Sequence, residues 1–136
     1  MKKIFSIIAV VIVVITLSSC KKIIEPVGQW SDNIKLSTRT ANFNASGDSV
    51  IFKTGGSWWW VSDVSVDTTW YYGFAEVNVT ANFYSVKRAC FVVEHRDNNT
   101  LFVKVDANPF NKNRIITVGL EAGDYFDRVT ITQKSK

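Results

Sequence analysis

The sequence predicts an all-β protein, an antiparallel β-sandwich of about seven or eight strands. Three observations carry that expectation. Short runs rich in β-branched and aromatic residues recur along the chain, bounded by Gly, Asn or Asp. Several of them alternate apolar and polar with a period of two, the pattern of a strand with one face buried and the other wet. No stretch after Cys20 has helical periodicity.

The predicted strands follow in chain order. Val50-Ile51-Phe52 is the first. In Ala75 to Ala81, Val77 and Val79 face one way and Asn78 and Thr80 the other. Ala89 to Val93 comes next, and Cys90 within this apolar run reads as a buried, inert thiol. In Leu101 to Val105, Leu101, Val103 and Val105 oppose Phe102, Lys104 and Asp106. Ile115 to Leu120 precedes Val129 to Gln133, where Val129 and Ile131 oppose Arg128, Thr130 and Thr132. Val66-Asp67-Thr68-Thr69 reads as a turn.

The first nineteen residues read as a segment outside the fold. Lys2 and Lys3 form a positive start, and Ile4 to Leu17 is an apolar run too short for a membrane span. Leu17-Ser18-Ser19-Cys20 resembles the bacterial lipobox. That resemblance implies a signal peptide over 1–19, a diacylglycerol on the Cys20 sulfur, and lipid anchoring to the outer membrane of the cell envelope. Two or three acyl chains hold a protein to a bilayer firmly, where one does not. Residues 20–33 read as a tether, with Pro26 and Gly28 and one large apolar residue, Trp30. Residues 34–136 form the domain. "CKKIIEP" lacks the acidic run that often marks surface export, so the periplasmic and outward faces both stay open.

The segment "DNNTLFVKVDANPFNKNRIITVGLEAGDYFDRVTITQ" resembles the C-terminal part of the BACON family, immunoglobulin-like β-sandwich modules of Bacteroidetes surface proteins, and this implies an immunoglobulin-like antiparallel β-sandwich here. The matching residues are Asn108, Arg114, Ile116, Val118, Gly123, Val129, Ile131 and Gln133. "FNASGDSVIFKTGGSWWWVSDVSVD" is similar to the first half of such modules, while "TTWYYGFAEVNVTANFYSVKRAC" matches no family motif. The resemblance implies a non-catalytic accessory or binding role, with carbohydrate the ligand proposed for the family, and brings no catalytic residues. On physical grounds Arg114 and Gln133 read as architecture, one covering a sheet edge with its stem, the other satisfying backbone groups at a strand end.

Trp58-Trp59-Trp60 poses the functional question. In an extended chain adjacent side chains point to opposite faces, so three consecutive tryptophans do not all enter one core. Trp59 and Val61 read as core, continuing into Val64 and Val66. Trp58 and Trp60 then stand on the opposite face, either exposed or packed under the segment that matches no family motif, and Trp70, Tyr71 and Tyr72 repeat the theme beyond the turn. The chain holds five Trp, four Tyr and nine Phe, more than a sandwich of this size places inside. Flat aromatic faces suit the C–H face of a sugar ring, and Trp and Tyr give rigid bodies with polar tips. The candidate ligand-binding residues are therefore Trp58, Trp60, Trp70, Tyr71 and Tyr72.

The net charge of +4 includes Lys2 and Lys3, and the remaining basic residues do not form a nucleic-acid footprint. His95 is the one histidine, so a catalytic zinc site is not expected, and no nucleophile elbow or phosphate loop occurs. The sequence thus points to no enzyme, no cofactor and no metal. It points to an envelope lipoprotein that binds glycans; the alternative is a spacer or subunit whose aromatic patch packs on an envelope protein. Cys20→Ala should move the protein from the membrane fraction to the soluble fraction, checked by fractionation and labelling with a palmitate analogue. A variant that stays membrane-bound and labelled contradicts the lipobox.

Overall fold

The computed structural model describes residues 31–136. The expected signal peptide, Cys20 with the expected lipobox, Trp30 and the expected tether as far as that residue lie outside the described residues. The described chain forms nine strands: β1 Thr40–Phe43, β2 Asp48–Lys53, β3 Trp60–Val66, β4 Thr69–Tyr72, β5 Tyr84–Arg88, β6 Phe91–Arg96, β7 Thr100–Val105, β8 Arg114–Ala122 and β9 Tyr125–Gln133. They build two sheets, one ordered β1-β9-β8-β3-β4 and the other β2-β7-β6-β5. All pairings are antiparallel except that of β1 with β9, which is parallel.

The expected sandwich is present, with nine strands rather than seven or eight. β1, β4 and β5 have no counterpart among the runs named from the sequence; each is four or five residues long and each is at a sheet edge. So short a run gives period-two alternation little room to show. The alternation in β7 and β9 is as expected: Leu101, Val103, Val105, Val129 and Ile131 are all buried. Ala75 to Ala81, by contrast, is a loop between β4 and β5. Val77 and Val79 still lean on the core, so the alternation is real, but no strand pairs with it. Asn78 is the reason: its Oδ1 accepts from the Thr80 N–H at 3.1 Å and its carbonyl from the Ala81 N–H at 3.0 Å, which folds the backbone into turns. Ala89 and Cys90 make the turn between β5 and β6, and that strand begins at Phe91.

The inner faces of the two sheets make one core. Val64, Ile116, Val118, Leu120, Val129 and Ile131 of the first sheet pack toward Phe52, Val86, Phe91, Val93, Leu101 and Val103 of the second. At one end of the sandwich Arg114 and Gln133, paired across β8 and β9, are both buried. Arg114 donates to Gln133 Oε1 from Nη2 at 2.6 Å and from Nε at 3.0 Å, and to the Asp106 carbonyl at 2.6 Å. Gln133 Nε2 donates to the Asp106 carbonyl at 3.0 Å and to the Asn44 carbonyl at 3.3 Å. This pair therefore ties the first sheet to the end of β7 and to the β1–β2 connection. Asn108 closes the same end, its Nδ2 donating to the carbonyls of Lys112 at 2.9 Å and Lys134 at 3.1 Å.

Gln133→Ala removes the acceptor for a buried guanidinium and leaves carbonyls unpaired, which should cost about 3 kcal/mol. Thr132→Ala, on the outer face next to it, should stay within about 0.5 kcal/mol. Urea denaturation of both variants checks this; equal, small losses would contradict the tie.

Candidate functional site

Two glycines seat the tryptophan run. The Gly55 and Gly56 N–H groups donate to the carbonyls of Lys35 at 3.0 Å and Ile34 at 3.1 Å, docking the segment against the start of the domain. A Cβ on Gly56 would come within 3.0 Å of the Asn33 carbonyl carbon, so only glycine allows this approach. Trp58 then stands in a bend and Trp60 opens β3, so the run is not one extended strand. Trp59 is 3 % exposed and plugs the end of the core. Its Nε1–H donates to Thr54 Oγ1 at 2.9 Å, and its ring meets His95 edge-on at 4.4 Å.

β3 carries a bulge. Val61 faces Leu120 and Asp63 faces Gly119, which leaves Ser62 as one extra residue. The bulge keeps Val61 and Val64 both in the core although they are three residues apart. It also puts Trp60 and Asp63 together on the outer face of the five-stranded sheet. A Cβ at Gly119 would lie 2.7 Å from Asp63 Cγ and 2.8 Å from Ser62 Oγ, so the bare glycine makes room for both side chains. Ser62 Oγ donates to Asp63 Oδ2 at 2.8 Å and fixes the carboxylate there.

Register builds the rest of this face. Tyr72, Asp63, Gly119 and Arg128 are successive neighbours across β4, β3, β8 and β9. Trp70, Ser65, Thr117 and Thr130 form the next row, and Trp60, Glu121 and Phe126 form a row on the other side. Trp58 packs edge-on against Trp60 at 5.9 Å, extending the aromatic line toward the β8–β9 turn. Trp58 is 70 % exposed, Trp70 54 % and Tyr72 76 %, while Trp60 is half-buried. Of the five aromatic residues expected to bind, four share this face or its end. Tyr71 does not: it pairs with Val64, points inward and packs edge-on against Phe91 at 5.4 Å. Alternation along β4 separates it from Trp70 and Tyr72.

Behind the tryptophan segment, Trp58, Trp59 and Trp60 also wall a pocket of about 290 Å³, together with Asn82, His95 and Asn98. His95 is 3 % exposed and continues the inward series Phe91, Val93 along β6, a signal visible in the sequence but not read there. Its ring stacks on Tyr84 at 5.2 Å, and its Nδ1 lies 3.2 Å from the Asn82 carbonyl. Burial holds its pKa below the ordinary 6.5, although the backbone groups of Asn82, Ala81 and Asn98 oppose that shift. Burial also raises Tyr84 to about 12, and its hydroxyl oxygen accepts from the Val61 N–H at 2.8 Å. Cys90, expected deep in a strand, is half-buried in a turn at the other end; burial pushes its thiol pKa up, which suits an unreactive group.

No family model matches the chain, and no curated protein matches it. An NMR structure of a protein from Bacteroides thetaiotaomicron is similar over 78 % of this chain and 90 % of that one, with a TM-score of 0.62 and 23 % identity. This similarity shows a shared fold. A Bacteroides ovatus GH5 xyloglucanase, solved in complex with a heptasaccharide, aligns at a TM-score of 0.48 and 18 % identity over 76 % of this chain, which spans 19 % of the enzyme chain.

Trp59→Ala should cost about 3–5 kcal/mol, as large buried aromatics do. Trp58→Ala and Trp70→Ala should stay within about 0.5 kcal/mol; urea midpoints decide, and equal losses for all three would make the whole run core. His95 sets a pH dependence. Its folded pKa is depressed, so the unfolded chain takes up the proton first. Its stabilisation is complete above the unfolded value of 6.5 and is lost as the pH falls through the lower folded value. The urea midpoint should fall on going from about pH 7 to 5, and His95→Phe should flatten that slope.

Proposed function

We propose that this chain is a non-catalytic glycan-binding module of the bacterial cell envelope, held to the membrane by lipid on Cys20. The outer face of the β1-β9-β8-β3-β4 sheet is its binding surface. One observation supports this reading above the others: the line of Trp58, Trp60, Tyr72 and Trp70 lies among Asp63, Glu121 and Arg128 rather than on a bare apolar patch. Aromatic faces supply apolar area against sugar C–H groups. Carboxylates and a guanidinium accept from and donate to hydroxyls, which fixes orientation. A protein-binding patch needs apolar area more than it needs three charged groups interleaved with the rings.

The face is rigid. Asp63 is held by Ser62, and Trp60, Glu121 and Arg128 stand on paired strands. Little conformational entropy is lost when a ligand settles on such a surface. A surface built on the face of a sheet, with no enclosing walls, suits an extended chain of sugars lying across several rings.

A glycan array with the soluble domain should give binding to a limited set of polysaccharides. Trp70→Ala and Tyr72→Ala should each weaken the strongest hit by about tenfold, equivalent to about 1.4 kcal/mol, with urea midpoints unchanged. Phe102→Ala, on the outer face of the other sheet, should leave binding intact. Binding to an envelope protein through the same residues, with no glycan bound, would replace this reading by the interaction-subunit alternative.

A further inference from the structure

The aromatic line does not stop at the edge of the sheet. Trp58 and Trp60 also wall the pocket of about 290 Å³ at the end of the sandwich, with Trp59, Asn82, Asn98 and His95 around it. His95 is one of the lining residues, and its Nε2 is buried without a hydrogen-bond partner among the described residues. Its other nitrogen, Nδ1, faces the Asn82 carbonyl at 3.2 Å. A carbonyl only accepts, so Nδ1 carries the proton and the neutral ring leaves Nε2 as a bare acceptor. Buried acceptors without a donor are rare and call for a partner.

We infer that this pocket takes the terminal ring of a glycan chain, with a ring hydroxyl donating to His95 Nε2. The inference rests on the glycan reading above and extends it from a surface to an end-recognising site. Size favours one ring: the volume is at the small end of ligand pockets, about 300–1,000 Å³. The lining carries no charged side chain, which fits a neutral ligand rather than an anion or a cation. An apolar ligand would leave the buried Nε2 without a donor, whereas the amides of Asn82 and Asn98, both exposed at the rim, stand ready to bond a polar one. A small, neutral, hydroxyl-bearing ring satisfies the acceptor and lies against indole faces. Because the same two tryptophans belong to both surfaces, a chain resting on Trp70, Tyr72 and Trp60 arrives at the pocket with its end.

The test uses the full-length chain. The probes are the methyl glycosides of glucose, galactose, mannose, xylose and N-acetylglucosamine, and a tetrasaccharide of each. Calorimetry gives affinities, and nitrogen-15 NMR follows the His95 imidazole. The expected result is that a tetrasaccharide and its matching methyl glycoside both shift the Nε2 resonance. His95→Phe keeps the ring shape and removes the acceptor; Ala81→Phe fills the pocket and leaves His95 in place. Each should weaken the methyl glycoside by about tenfold or more, the change that loss of one well-placed hydrogen bond brings. Trp70→Ala and Tyr72→Ala should leave the methyl glycoside within about twofold and weaken the tetrasaccharide. If His95→Phe fails to fold, Ala81→Phe and the NMR shift decide. A tetrasaccharide that binds without moving Nε2 overturns the pocket and leaves the sheet face standing; a trapped water then satisfies the nitrogen. No binding by any probe overturns both.

Discussion

The candidate surface depends on the bulge at Ser62. Without that extra residue, strict alternation along β3 would send either Val61 or Val64 out to solvent and would split Trp60 from Asp63. With it, both valines stay in the core and the indole and the carboxylate share one face. The bulge in turn depends on Gly119 across the ladder, because a side chain there would collide with both Ser62 and Asp63. A glycine in the interior of a strand weakens it on its own terms. Here it marks the place where two polar side chains lie flat over the sheet.

The two ends of the sandwich serve different purposes. At one, Arg114, Gln133 and Asn108 join the sheets and loops through buried hydrogen bonds. At the other, Trp59 seals the core with one hydrogen bond to Thr54, and His95 is left with an open nitrogen. The ion pair of Arg39 with Asp127 at 2.7 Å adds support to the β1 edge but lies partly in solvent and adds little stability.

Much of the fold was legible in the sequence. The alternation at Leu101, Val103 and Val105, and again at Val129 and Ile131, marks buried faces, and the structural parts for Trp59 and Gln133 followed from pattern and chemistry. Arg114, expected to cover a sheet edge with its stem, is instead buried on the inner strand β8 with its guanidinium bonded to Gln133 and the Asp106 carbonyl. Strands β1, β4 and β5 were not legible: β1 and β4 hold at most one buried residue each, and β5 shows its alternation in Tyr84 and Val86 alone. Ala75 to Ala81 misled for the opposite reason: two valines point at the core from a loop whose turns Asn78 makes. The site was half legible. Local alternation separates Trp58 and Trp60 from Trp59, and applied along β4 it also separates Tyr71 from its neighbours. It cannot bring Asp63, Glu121 and Arg128 beside the rings, since that requires the register of four strands. His95 was legible in principle from the spacing of Phe91 and Val93, since it continues their inward series between the outward Glu94 and Arg96.

The central claim is that the aromatic line is one continuous glycan surface. The most direct measurement is an NMR titration of the domain with the strongest glycan hit, following the indole N–H signals of Trp58 and Trp70 and the backbone amides of both sheets. The account predicts that the two indoles, at opposite ends of the line, shift together with a single midpoint. The amides of Asp63, Glu121 and Arg128 shift with them, while those of Ile51, Phe102 and Lys104 on the far sheet stay still. Shifts confined to the far sheet, or two indoles that titrate with unrelated midpoints, would contradict it.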